Sequence, residues 1–417
     1  MKAEIISIGD ELLIGQVINS NQAYIAEKLN SVGIYGDTMT TIGDNENEIL
    51  SAFEKAYASH DVVTVTGGLG PTHDDITRSV VCTFFQTDSI INDEALENIK
   101  RIFGRRNSIP RKINEDQALV PRGCTVIQNR LGTAPGYFFE RQGKYFIVMP
   151  GVPYEMKAMM NEFVLPFFEK QPTGLIIRHR TIKTTGIAES FLAEQIGDVH
   201  KIFSPGSGIT LAFLPNSMGV RLRITAKADS VEQAENKIYD VESKLHRKIE
   251  KYIYTTGENE LEDTIGSLLH ERTLTLAIAE SCTGGLIADR ITNVSGSSVY
   301  FDRGLITYSD TSKTDELGVP PELIRQHGAV SREVAEAMAF GVRTKSHTDI
   351  GLSTTGIAGP TGGSVEKSIG LVWIGYSDME KTFAIQFNFG GERRIIKERA
   401  AQAALELLRR KILKITD

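Results

Sequence analysis

Val62-Val63-Thr64-Val65-Thr66-Gly67-Gly68-Leu69-Gly70-Pro71-Thr72-His73-Asp74-Asp75 runs from an apolar, β-branched stretch straight into a glycine-rich turn. The first part reads as a buried strand. The glycines let the backbone bend tightly and bring its amides close to an anion. A helix predicted from about Ile76 points its positive end at the same place. Asp74 and Asp75 are able to hold a divalent cation against a bound phosphate. The same residues equally make a plain strand–helix turn with an Asp at the cap, and the turn alone leaves both readings open. His73 reads as a loop residue.

Upstream, residues 3–8 predict a strand ending at Gly9. A helix follows from near Asn19, with Ile25, Ala26 and Leu29 on one face and Gly33 at its end. Asn45 and Glu48 have capping-box spacing, so a second helix is predicted over 46–58. Strands alternating with helices predict a parallel sheet covered by helices. Downstream, Lys100, Arg101, Arg105, Arg106, Arg111 and Lys112 make either a solvated basic face or a phosphate clamp.

The character changes over 172–257. Strands are predicted at 180–185, 209–214, 219–228 and 252–254, with helices at 189–199 and 231–249. The alternation in Val220-Arg221-Leu222-Arg223-Ile224 marks a sheet with one wet face. Glu258–Glu262 is polar and reads as an exposed, loop-like boundary. Beyond it, the strand Leu274–Ala279 ends in Glu280-Ser281-Cys282-Thr283-Gly284-Gly285, and a helix starts near Leu286. A hydroxyl at the carboxyl end of a strand sits where open α/β sheets bind ligands. Nearby amides can form an oxyanion hole beside Ser281, or the motif is an ordinary helix cap. Cys282 reads as a small buried filler rather than a nucleophile. A further strand carries Tyr308 to its end, with Lys313 just beyond. Ile350–Thr355 runs into a second glycine-rich turn, Gly356-Ile357-Ala358-Gly359-Pro360-Thr361-Gly362-Gly363. Leu371–Tyr376 is another buried strand, and 392–413 a long amphipathic helix.

Composition bounds the function. The 417 residues suggest about three domains. Lys and Arg total 46 against 53 Asp and Glu, a net charge of −7, which argues against a nucleic-acid coat. No apolar run approaches the roughly 18–20 residues that span a bilayer, and Glu4 interrupts any leader-like start. Cys82, Cys124 and Cys282 form neither a disulfide framework nor a zinc pattern. A cytoplasmic protein without membrane attachment is expected.

The motifs together resemble one family. Gly9-Asp10-Glu11-Leu12-Leu13, Gly15-Gln16-Val17, Asn19-Ser20-Asn21, Thr66–Thr72 with Asp74-Asp75, and Met149-Pro150-Gly151-Val152-Pro153 with Glu155-Met156 resemble the N-terminal domain of the competence/damage-inducible CinA family. That domain is similar to the molybdopterin-binding MoaB and MogA proteins. Ala279–Gly285, Tyr308-Ser309 with Lys313, His327-Gly328-Ala329-Val330-Ser331, and Gly356–Gly363 resemble, in order, the family's C-terminal nicotinamide-nucleotide amidohydrolase domain.

The resemblance implies an α/β fold: two parallel-sheet α/β domains, 1–171 and 258–417, flanking a small α+β KH-like module, 172–257. It implies deamidation of nicotinamide mononucleotide (NMN) in the C-terminal domain, with Ser281 as nucleophile, Lys313 as base and Tyr308 beside them. Substrate would be held by Glu280, Thr283, Gly284, Gly285, Thr355, Gly356, Ile357, Ala358, Gly359 and Arg393, with no cofactor. In the N-terminal domain it implies ADP-ribose hydrolysis over Gly67, Gly68 and Gly70, with a divalent metal ion on Asp74, Asp75 and Glu11. A homodimer is implied as well. Three positions depart from the family pattern: Asp310 for Asn, Ser368 for Pro, and Lys397 for a second phosphate-binding Arg. Two alternatives remain: a molybdopterin-processing protein, and an accessory factor in competence or DNA repair.

The Ser–Lys chemistry is coherent on its own terms. A serine needs a base, and a lysine serves if burial or a cationic neighbour lowers its pKa by roughly 3 units from about 10.4. His270, His327 and His347 compete for that role.

Overall fold

The computed structural model describes residues 1–72, 75–105, 109–171 and 176–416. Its contacts divide the chain into two compact units, Met1–Arg178 with Ala226–Asn236, and His179–Thr225 with Lys237 onward.

The first unit is built on a six-stranded sheet in the order Tyr35–Ile42, Lys2–Ile8, Val62–Thr66, Lys144–Met149, Gly136–Arg141, Thr125–Ile127. The first four strands are parallel, and the last two are added by antiparallel ladders. The antiparallel arm has no counterpart in the strand–helix alternation of the sequence, because a tight hairpin at Gln142 and Gly143 joins two strands with no helix between them. Asn19 caps the helix Ser20–Ser31 by accepting the Gln22 amide, and Asn45 caps Glu46–Ser59 by accepting those of Asn47 and Glu48. Every residue of Val62–Thr66 is buried, as a central strand covered on both faces requires.

A four-stranded sheet, ordered Ile209–Asn216, Gly219–Ala228, Ile176–Thr184, Ile253–Thr256, forms the middle module with the helices Glu189–Ile196 and Val231–Ile249. The C-terminal sheet has five strands: Phe301–Ile306, Leu276–Glu280, Ile350–Gly356, Leu371–Ser377, Thr382–Asn388. Its first three are parallel and its last two antiparallel. Alternation along Leu276–Glu280 serves two cores. Leu276 and Ile278 pack with Ala400, Ala404 and Leu408 of the helix Arg393–Leu413, while Ala277 and Ala279 pack with Val334, Met338 and Val342 of the helix Arg332–Ser346. Register places Glu280 opposite both Ile306 and Thr354. Ser281, Thr307 and Thr355 therefore leave three adjacent parallel strands side by side.

Glu258–Glu262 is not the loose linker expected from its composition. The buried Lys183 ammonium is clamped by the Glu258 carbonyl (2.8 Å), the Asn259 carbonyl (2.9 Å) and the Glu260 carboxylate (2.8 Å). Farther along, Gln402 donates to the Thr185 hydroxyl at 3.0 Å. Arg409, 2% exposed, grips the Glu406 carboxylate with two donors and also reaches the Ile253 and Lys251 carbonyls. Burial pushes the Glu406 carboxyl upward against the pull of Arg409. Removing one member of so buried a pair strands the other. Arg409→Ala is expected to lower stability by about 3–5 kcal/mol, read as a lower denaturant midpoint; an unchanged midpoint would show that the pair does not hold this junction.

Candidate functional site

The carboxyl edge of the C-terminal sheet carries the chemistry. Ser281 keeps its amide in the ladder, donating to the Thr354 carbonyl at 3.0 Å. The chain then turns through Gly284 and Gly285, both in the left-handed region (φ 63° and 94°), before the helix Leu286–Thr292. Lys313 approaches from the next strand end. It lies on the helix Asp310–Leu317, whose start is fixed by a reciprocal Ser309–Ser312 capping box. The Lys313 amine is 3.3 Å from the Ser281 hydroxyl and 3.1, 3.4 and 3.4 Å from the carbonyls of Thr307, Tyr308 and Ser309. Its residue is 1% exposed. Burial lowers its pKa, while Asp310 and Cys282 pull it back up.

The other expected site residues divide. Glu280 is a correction: it is fully buried, and its carboxylate accepts the amides of Gly285 (2.9 Å), Ile287 (3.2 Å) and Ala288 (2.8 Å). These donors at a helix start have no partners within the helix, so the Glu280 carboxylate is committed to holding the glycine turn. Thr283 also faces inward, its hydroxyl 2.7 Å from that of Thr354. The Thr355 hydroxyl donates to the Ala329 carbonyl at 2.7 Å. Gly356 is packed against the neighbouring strand, where a side chain would meet the Leu371 carbonyl at 2.6 Å, and the Ile357 amide donates to that carbonyl. Tyr308 does not join the Ser–Lys pair through its hydroxyl, which accepts from Arg393 at 2.8 Å. Arg393 also donates to the Gly359 carbonyl at 2.7 Å.

Ala358, Gly359, Arg393, Arg394 and Lys397 line one cavity of about 760 Å³. Lys397 also reaches the serine turn, its ammonium 3.4 Å from where a side chain on Gly284 would begin. The basic residue that departs from the family pattern thus lands between the cavity and the nucleophile turn. Cys282 is 6% exposed, and burial pushes its thiol up to about 12. That leaves almost no thiolate at neutral pH. His327 faces Glu333 at 3.5 Å.

The first unit has its own cleft, about 550 Å³, at the carboxyl ends of its parallel strands. Glu11, Gly67, Gly68, Gly70 and Asp75 all line it, as do Pro150, Gly151 and Glu155. Gly67 is required by close approach, since a side chain there would begin 2.1 Å from the Ile8 carbonyl. Lys100, Arg101, Arg111 and Lys112 are exposed and outside the lining, which favours a solvated face over a clamp. Asp74 and Arg106 lie outside the described residues.

Asp75 accepts both the amide (2.8 Å) and the hydroxyl (2.5 Å) of Thr72 on one oxygen, closing its own turn. Asp44 was not singled out in the sequence. It follows the strand Tyr35–Ile42, and its only signal was that position at a parallel strand end. Burial foremost raises its carboxyl, and the charges of Asp10, Glu11 and Asp75 add to this despite a hydrogen bond from the Asp10 amide. Asn21 donates to the Gly151 carbonyl (2.7 Å) and the Thr66 hydroxyl (3.3 Å), leaving its buried side-chain oxygen without a partner among the described residues.

The donor chemistry fits a hard divalent cation: Glu11, Asp44 and Asp75 are carboxylates on one cleft, close enough to repel. Among the described residues no three of His, Cys, Asp and Glu converge as a ready ion cage. An ion of the magnesium type, which takes one or two carboxylates from the protein, would suit such donors.

Three family models match the chain in succession. A family model described as the probable molybdopterin binding domain matches residues 4–170, the damage-inducible protein CinA KH domain matches 179–255, and the CinA C-terminal domain matches 258–412. A CinA-like protein of Chloroherpeton thalassium is 46% identical over 417 residues, spanning 98% of this chain and 99% of the relative. Among solved structures, the protein CinA of Thermoplasma acidophilum is 34% identical, with 39% of this chain and 95% of that chain covered and a TM-score of 0.37. A competence/damage inducible protein of Agrobacterium tumefaciens is 36% identical, with 36% and 94% covered and a TM-score of 0.35. Matched along its length to a CinA-like relative and in order to these domain models, the chain belongs to the CinA family.

Proposed function

We propose that the C-terminal site deamidates NMN to nicotinate mononucleotide and ammonia, and that the N-terminal cleft hydrolyses the diphosphate of ADP-ribose with a divalent metal ion. The amidase reading rests above all on the 3.3 Å approach of a buried lysine amine to the Ser281 hydroxyl.

Neutral Lys313 takes the Ser281 proton as the oxygen attacks the carboxamide carbon. The tetrahedral oxyanion needs amide donors; with the Ser281 and Gly285 amides given to Thr354 and Glu280, they would come from the 282–284 stretch of the turn. Lys313 then gives its proton to the departing nitrogen, and ammonia leaves an acyl ester on Ser281. Water attacks that ester with Lys313 again as base, and the proton returns to the serine oxygen. The carbonyls of Thr307, Tyr308 and Ser309 hold the lysine whenever it is charged. Arg393 and Lys397, which line one cavity, would hold the nucleotide phosphate. No metal ligand enters this scheme, so ammonia release is expected to survive a chelator.

In the N-terminal cleft, a bound ion would neutralise the diphosphate and polarise the phosphorus under attack. This chain's residues would orient it: the 67–70 turn by close backbone approach, Glu11 and the Asp75 oxygen that Thr72 does not use by ligation. Glu11→Gln and Asp75→Asn are each expected to lower ADP-ribose cleavage at least about tenfold, with NMN deamidation unchanged. Asparagine can still accept from Thr72, so a full ADP-ribose rate in Asp75→Asn would leave Asp75 only its turn-closing role. The molybdopterin reading of this cleft, favoured by the family model over 4–170, differs in expecting binding without cleavage.

A further inference from the structure

A second cavity of the C-terminal unit, about 710 Å³, lies away from the serine. Its lining includes none of Ser281, Lys313, Tyr308 or Arg393. One wall is a stripe of the helix Arg393–Leu413, where Arg399, Ala403, Leu407 and Arg410 recur at the three- and four-residue spacing of a single face. Ala403 is the smallest of these and leaves the space open. Phe387 and Phe389 also line it, with ring centroids 5.4 Å apart and planes 8° from parallel. Ile187 and Met218 of the middle module close the side.

The charge of the lining is lopsided. Its acids are Glu189 and Glu406; Glu406 is gripped by Arg409, which lies outside the lining, and stands 3.8 Å from Arg410. Its cations are Arg399, Arg410 and Lys411. Arg399 donates to the Gly390 carbonyl, and Lys411 stands 4.9 Å over the Phe383 ring. The volume falls within the roughly 300–1,000 Å³ typical of small-molecule sites, which pair apolar walls with a few placed charges.

We propose that this cavity is a binding site for a small planar aromatic anion, its rings against Phe387 and Phe389 and its charge toward Arg399 and Lys411. Aromatic faces favour offset stacking, and the excess cations favour a carboxylate, sulfonate or phosphate on the ring. The site is independent of the proposed amidase chemistry.

The chain carries its own reporter. Its single tryptophan, Trp373, stands in register with Gln386, between the cavity residues Ile385 and Phe387. The probes are 8-anilinonaphthalene-1-sulfonate and N-phenyl-1-naphthylamine, which share ring systems but differ in the sulfonate. With the full chain, saturable binding of the sulfonate at one per chain is expected, quenching Trp373 emission by energy transfer. It should bind at least about tenfold more tightly than the uncharged amine, as charge-assisted contacts allow. Ala403→Phe fills the floor and should abolish quenching by both probes. Arg399→Gln with Lys411→Gln should bring the sulfonate down to the affinity of the amine while leaving the amine unaffected. This double variant tests the charge even if Ala403→Phe fails to fold. Absence of saturable quenching, equal affinity of the two probes for the wild type, or an unchanged sulfonate affinity in the double variant would overturn the proposal. So would probe binding that weakens as chain concentration rises, because a second copy of the chain would then be the occupant.

Discussion

Ser281→Ala is expected to remove nearly all ammonia release from NMN, a fall in kcat of about 10⁴-fold or more, as loss of a nucleophile costs other hydrolases. Ser281 carries a hydroxyl within 3.3 Å of the Lys313 amine, whose other partners are backbone carbonyls. The adjacent thiol is no substitute. Cys282 belongs to the apolar core with Leu276, Ile278 and Ile287, and burial holds its thiol protonated. Cys282→Ala should therefore stay within about fivefold of wild type, losing some packing and no chemistry. A Ser281→Ala chain retaining a tenth of the wild-type rate would remove serine from the mechanism.

Lys313→Arg is expected to lower kcat by about 10²–10⁴-fold, the range for a general base. Arginine keeps the positive charge but does not deprotonate at usable pH. The substitution separates two roles. A lysine that only anchored the substrate phosphate would leave much of the rate to arginine, whereas a lysine that accepts the serine proton would leave little. Titration gives a second signature. Burial lowers the Lys313 pKa below its ordinary value, and the neutral amine is the active form. The rate should therefore be full above that lowered pKa and decline as pH falls through it. In Lys313→Arg this limb should vanish together with the rate. A Lys313→Arg chain within a few-fold of wild type would move the base elsewhere.

Much of this arrangement was legible in the sequence because the signals were local. Asn19, Asn45 and the apolar stretch at 62–66 declare helix starts and a central strand through capping and β-branching alone. Ser281 and Lys313 were locatable as groups just past strand ends, and the parallel register that brings those ends together follows from alternation of strands and helices. What escaped was set by partners distant in sequence. Glu280 reads as a site residue beside the nucleophile, but strand alternation turns it into the core, where the helix-start amides claim it. Glu258–Glu262 reads as a linker because nothing local reveals that Lys183, some 75 residues upstream, uses its carbonyls. Leu371–Tyr376 was legible as a strand but not as an antiparallel one, and Thr382–Asn388 and the antiparallel arm of the first sheet escaped because hairpins add strands without the intervening helix that makes a parallel sheet visible. Asp44 joins the cleft only because its strand ends beside that of Ser7 and Ile8.

The most direct test is ammonia release from NMN by the purified full-length chain after treatment with a metal chelator. The expected result is ammonia and nicotinate mononucleotide formed in equal amounts, at a rate the chelator does not change. No release of ammonia from NMN by the folded chain, or release that disappears with the chelator and returns with added metal, would contradict a metal-independent Ser281–Lys313 amidase.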